Sequence, residues 1–173
     1  MNSSSASPKT LLDLFGQIDS NKVAIVAPEQ DLRITYGDLR DQVEALAAAL
    51  ASAGVGRGDR VGIALPNGLP MVVCFLGASL VGTAAPLNPS YKEEEFQFYL
   101  EDTSAKVLVL PPEGAEEARR AAGDRVRILT AAVDASGRVS LAGTGRAPVS
   151  PPSIDDVALI LHTSGSTGRP KRV

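Results

Sequence analysis

Leu39, Val43, Leu46 and Leu50 recur at spacings of four, three and four, which draws one apolar stripe along a predicted helix. Thr35 stands where the N-cap of that helix belongs, with Asp38 three residues on as the capping-box acid, and Gly54 closes it in the C′ role. Upstream, Val23–Ala27 and residues 32–34 read as two short strands around a turn at Pro28-Glu29-Gln30-Asp31. Downstream, residues 60–65 form a strand ended by Pro66-Asn67-Gly68, and residues 69–80 an uncharged, buried helix. A strand at 84–87 follows, then a turn at Asn88-Pro89-Ser90 and a helix over 93–101 with Phe96, Tyr99 and Leu100 on one face. Residues 106–110 are a strand, 113–122 a short alanine-rich helix and 126–129 a further strand. From 134 to 155 Gly, Ser, Pro and Thr predominate, the pattern of an irregular surface connector with a weak hairpin at Val139–Leu141. Residues 157–161 are unbroken apolar sequence, the pattern of a strand buried on both faces of a parallel sheet. Strands alternating with helices make the expected class α/β, a sheet with flanking helices.

Composition narrows the function classes. The 173 residues hold about one domain's worth of sequence, and 44% hydrophobic against 21% charged residues is a globular balance. The net charge is −3 with the basic residues scattered, which argues against nucleic-acid binding. Cys74 is the single cysteine, so no internal disulfide forms, and no Cys/His cluster could hold zinc. The opening residues lack the basic and apolar regions of a secretory signal; residues 1–10 are expected to be a disordered tail. No charge occurs between Arg60 and Lys92, and residues 69–87 approach spanning length. Pro66, Pro70, Pro86 and Pro89, with the break at Gly82-Thr83, favour a buried helix and strand over a membrane span. Lys171-Arg172-Val173 is not the peroxisomal Ser-Lys-Leu signal, and the expected compartment is the cytoplasm, with the peroxisome open for an intact parent.

The chemistry concentrates in Thr163-Ser164-Gly165-Ser166-Thr167-Gly168, followed by Arg169-Pro170-Lys171. Two glycines let backbone N–H groups approach a ligand closely, and four hydroxyls can donate to oxygens or ligate magnesium. Lys171 adds positive charge where a polyphosphate would sit, at the carboxyl end of a strand where open sheets bind ligands. A flexible Ser/Gly linker has the same composition, but explains neither the apolar strand leading in nor the Pro-Lys exit. The Walker loop is excluded because no Gly-Lys dipeptide occurs. Gly54-Val55-Gly56-Arg57-Gly58 follows a helix rather than a strand, so it is a cap and turn and not a dinucleotide fingerprint.

The spacing Thr-Ser-Gly-Ser-Thr-Gly-Arg-Pro-Lys resembles the phosphate-binding loop of the adenylate-forming acyl-CoA synthetase superfamily. Ile34-Thr35-Tyr36-Gly37-Asp38-Leu39, Gly58-Asp59-Arg60-Val61, Leu65-Pro66-Asn67 and Ala85-Pro86-Leu87-Asn88-Pro89 are similar to landmarks of that family's N-terminal region, in order. Pro86 to Lys92 with Glu95 to Leu100, and Asp156 to Gly165, are most similar to oxalate–CoA ligases, relatives of 4-coumarate–CoA ligase; most other members place Tyr or Phe where His162 stands. The resemblance implies that residues 11–173 are an incomplete N-terminal portion of the large, AMP-binding domain. It also implies a two-step ligase that makes an acyl-adenylate and pyrophosphate from a carboxylate and ATP, then a thioester with coenzyme A. Thr163, Ser164, Gly165, Ser166, Thr167, Gly168 and Lys171 match the loop that holds or shapes around the β- and γ-phosphates, together with magnesium; none of them is a nucleophile. Two departures stand out: Arg172 occupies a position usually held by Gly, and the family runs to roughly three times this length. The adenine-binding segment, the magnesium-ligating glutamate, the ribose-binding aspartate, the hinge and the C-terminal catalytic lysine are not in this sequence. The chain alone is therefore expected to be inactive, with oxalate or a similar small acid as the expected substrate of the intact enzyme. The alternatives are a non-catalytic phosphate-binding or interaction module and a membrane-associated protein using residues 69–87. Oligomeric state is left open.

Four further features have structural explanations. His162, the only histidine, is expected to be packed or hydrogen-bonded rather than a general base. Cys74 is expected to be a small buried hydrophobe, and Glu93-Glu94-Glu95 an acidic first helical turn. Tyr91, Phe96, Phe98 and Tyr99 crowd one segment with Lys92 as the one basic neighbour, so core packing is expected over base stacking.

Overall fold

The computed structural model describes residues 9–163 and 171–173. A sheet of five strands carries the fold, in the order β4 (Thr83–Pro86), β3 (Arg60–Ile63), β5 (Ala105–Leu110), β6 (Arg127–Val133) and β7 (Val139–Leu141). The first four are parallel, and β7 returns antiparallel to β6 through a turn closed by Asp134 Oδ1, which accepts from the Ser136 and Arg138 amides. Parallel strands need crossovers, and three helices supply them: α3 (Leu69–Val81), α4 (Glu93–Thr103) and α5 (Glu116–Ala122). Before the sheet come α1 (Leu11–Gln17), the antiparallel pair β1 (Val23–Ala27) and β2 (Leu32–Thr35), and α2 (Tyr36–Ser52).

Strand alternation decides which helices lie on which face. Val61, Ile63, Val107, Val109, Leu129 and Ala131 point toward α2 and α3, where Val43, Leu46, Leu50 and Val73 bury against them. Leu108 and Leu110 point the other way, into a second core with Phe96 and Leu100 of α4 and Ala118, Ala121 and Ala122 of α5. The stripe predicted for the second helix is the buried face observed, and its capping box is formed: Asp38 N donates to Thr35 Oγ1 at 3.1 Å and Thr35 N to Asp38 Oδ2 at 3.3 Å. Gly54 follows its end at φ +93°, a backbone that favours glycine. Gly77 lets α3 press on α2, because a Cβ there would lie 2.6 Å from Leu46 Cδ2.

Helix α3 has 13 residues, about 20 Å at 1.5 Å per residue and too short for a hydrocarbon core of about 30 Å. No helix among the described residues is long and apolar enough to cross a membrane. Cys74 on α3 is buried, and burial pushes its thiol up to about 12. Helix α4 opens on the expected acidic first turn, in which Lys92 N donates to Glu95 Oε2 at 2.9 Å, while Glu93 pairs with Arg120 of α5 at 2.8 Å.

One expectation is corrected. Residues 157–161 do not form a strand buried on both faces: Ile160 is buried, but Val157 is 59% and Leu161 44% exposed. The segment adds to the free side of β4 through one parallel bridge, Ala84 with Leu159, made by Ala84 N to Ala158 O and Ile160 N to Ala84 O, each 2.9 Å. It lies at the sheet edge, and the described residues cover one side of it only. Leu11–Gln17, for which no element was expected, is a helix capped by Thr10, whose hydroxyl accepts from Asp13 N.

Candidate functional site

Beyond the edge segment the chain forms a hairpin, β8 (His162–Thr163) paired antiparallel with β9 (Lys171–Arg172). His162 lies opposite Arg172 and Thr163 opposite Lys171, and one residue further out Leu161 and Val173 exchange two backbone hydrogen bonds, of 3.0 and 2.8 Å. The Gly/Ser/Thr run therefore leaves and returns at one point, with Thr163 and Lys171 as the two posts of its mouth. Of the predicted phosphate-binding residues, Thr163 and the backbone of Lys171 are placed there. Ser164, Gly165, Ser166, Thr167 and Gly168 lie outside the described residues.

Two-residue strands make a marginal hairpin, and side chains reinforce this one. Asp102, in the last turn of α4, receives both strands on a single oxygen: Oδ2 lies 2.9 Å from His162 Nε2 and accepts from Arg172 Nε at 3.0 Å. Arg172 also donates through Nη2 to the Asp102 carbonyl, one of the helix-terminal oxygens without an intrahelical partner. Hydrogen bonds from Arg172 and then His162 hold the Asp102 carboxyl below the usual carboxylate range. An ionised carboxylate only accepts, so His162 Nε2 carries the hydrogen in this contact. A carboxylate with a depressed native pKa contributes its stabilisation above its unfolded value and loses it as pH falls through the depressed one. The clamp is thus intact at neutral pH and released in acid.

His162 is packed as well as bonded. Its side chain is 4% exposed and its ring centroid lies 4.6 Å from that of Tyr99, one turn before Asp102. Tyr91 stacks on Tyr99 at 4.7 Å, and burial is the main cause that pushes the Tyr99 hydroxyl up to about 12. The crowded aromatics pack against one another and the hairpin, and His162 is both packed and hydrogen-bonded.

An apolar cleft of about 370 Å³ opens at the carboxyl ends of β3, β5 and β6, among Leu65, Asn67, Pro111, Ala131 and Val133. No titratable side chain lines it, and the polar side chains in its lining are the amides of Gln30 and Asn67. Among the described residues no group of three or more His, Cys, Asp or Glu side chains could hold a metal. Sequence reasoning singled out the loop but not Asp102, which lies 60 and 70 residues from its partners and carries no local signal.

Residues 16–173 match the family model described as AMP-binding enzyme. A probable CoA ligase of Humulus lupulus, CCL9, is 38% identical over 154 residues, covering 83% of this chain and 29% of that protein. The oxalate–CoA ligase of Arabidopsis thaliana is 39% identical over 150 residues, 81% of this chain and 29% of that protein. ATP-bound MatB from Rhodopseudomonas palustris superposes with a TM-score of 0.76 at 30% identity, covering 92% of this chain and 33% of that one. Relatives at 32%, 34% and 37% identity are named for sulfoacetate, long-chain fatty acids and feruloyl-CoA. The chain spans about a third of the length of the relatives it matches.

Proposed function

This chain belongs to the AMP-binding enzyme family, and we propose that it supplies the phosphate-binding portion of an ATP-dependent acid–CoA ligase. In the first step a carboxylate oxygen attacks the α-phosphorus of ATP, forming acyl-adenylate as pyrophosphate leaves. In the second the coenzyme A thiol attacks the acyl carbon and AMP leaves. Thr163, Ser164, Gly165, Ser166, Thr167, Gly168 and Lys171 hold the β- and γ-phosphates through hydroxyls, close backbone amides and one fixed positive charge. A small dicarboxylate such as oxalate is the proposed acid, supported by the 39% identity to an oxalate–CoA ligase. The observation that carries the reading is the hairpin, which brings Thr163 and Lys171 opposite each other just beyond the segment bridged to β4.

The test is a chimera in which residues 1–173 replace the matching part of the Arabidopsis oxalate–CoA ligase. Lys171→Ala should lower its acid-dependent ATP–pyrophosphate exchange by about 10²-fold, the order expected when one donor to developing charge is lost. A rate equal to that of the unaltered chimera would mean that the loop is misassigned.

A further inference from the structure

We propose that Asp102 is the positioning residue of the loop's stem, fixing the entering and leaving strands to helix α4; its functional consequence rests on the phosphate reading above. One carboxylate oxygen meets both sides of the hairpin, His162 from β8 and Arg172 from β9. The strands β8 and β9 hold two residues each, a length at which a hairpin is marginal without support from side chains.

The anchor itself is rigid. Arg60, at the start of the inner strand β3, donates through Nε to the Thr103 carbonyl at 2.6 Å and through Nη2 to the Ser104 carbonyl at 3.0 Å. With Arg172 on the Asp102 carbonyl, three successive carbonyls at the end of α4 are held by two guanidinium groups. Tyr99 adds an aromatic wall against the His162 ring. The path from sheet to loop therefore runs from β3 through the end of α4 and Asp102 to the stem, by hydrogen bonds and packed rings. A loop that must place several donors around a polyphosphate depends on such a base, because positional freedom in the donors lowers affinity and misaligns the leaving group.

Asp102→Asn keeps the side chain's size and removes its charge, and Asp102→Glu keeps the charge on a longer stem. Hydrogen exchange of the whole 173-residue chain, read by mass spectrometry at single-residue resolution, reports the Leu161 and Val173 amides that bond each other. In Asp102→Asn these amides should exchange about tenfold faster, with Val107 and Val109 in β5 unchanged. Affinity for magnesium pyrophosphate, measured calorimetrically, should fall by about fivefold, and Asp102→Glu should recover most of both. Arg172→Gly, at a half-exposed position, should give the same direction if Asp102→Asn fails to fold. Unchanged exchange at Leu161 and Val173 would overturn the clamp. Faster exchange with unchanged pyrophosphate affinity would overturn the positioning role. A parent chain that shows no pyrophosphate affinity, but whose Leu161 and Val173 amides respond to Asp102→Asn, would support the clamp and overturn the loop's phosphate assignment instead.

Discussion

Phe96→Ala should destabilise the chain by about 3–5 kcal/mol, the usual range for deleting a fully buried phenyl ring. Phe96 is 1% exposed and is the largest fully buried side chain among the described residues. It fills the second core between α4 and α5, with Leu100, Leu108 and Leu110 around it and the Tyr91 ring edge-on at 5.8 Å. The helix opposite contributes Ala118, Ala121 and Ala122, none of which can extend into the space a lost ring leaves. Poor collapse puts the cost toward the top of the range, because the cavity remains. Urea unfolding should show it as a midpoint lowered by roughly 2 M for an m-value of about 2 kcal/mol/M. Phe96→Leu should cost less, since it keeps most of the volume. A loss below about 1 kcal/mol for the alanine variant would mean that α4 and α5 do not pack as described.

A polypeptide of these 173 residues should show no acid-dependent ATP–pyrophosphate exchange above buffer, with oxalate or any other carboxylate offered. Adenylation needs the attacking oxygen and the α-phosphorus held about 3–3.5 Å apart and in line, and phosphate contacts at one end of ATP do not fix the other end. Beside the loop's mouth, His162 and Arg172 are both engaged with Asp102. The same polypeptide should self-associate in size-exclusion chromatography. Val157, Leu159, Leu161 and Val173 lie 59%, 36%, 44% and 74% exposed along one edge, an apolar rim of the kind that templates association. Robust acid-dependent exchange from a clean monomer peak would contradict this expectation.

What the sequence disclosed, and what it hid, divides by distance along the chain. Thr35 and Asp38 are three residues apart, and their capping box forms as read. The same Thr-x-x-Asp signature stands at Thr10 and Asp13, with Leu11, Leu14, Phe15 and Ile18 at helical spacing behind it, so α1 was equally legible from local sequence. The β3, β4 and β5 runs were legible because parallel strands covered on both faces show continuous apolar sequence. Residues 157–161 show the same run at a sheet edge. An apolar pattern records a preference for burial, and whether neighbours are there to satisfy it is a tertiary fact. The loop's chemistry was legible from residue type and order. The Asp102 clamp was not, because Asp, His and Arg separated by 60 and 70 residues carry no spacing rule, and folding alone brings them together.

The central claim is that residues 163–171 hold the polyphosphate of ATP. Hydrogen exchange of the 173-residue chain with and without magnesium pyrophosphate tests it most directly. Protection confined to residues 163–171 and their hairpin neighbours, and abolished by Lys171→Ala, is the result this account predicts. Protection centred on the cleft around Leu65, Pro111, Ala131 and Val133, or protection at the loop that survives Lys171→Ala, would contradict it.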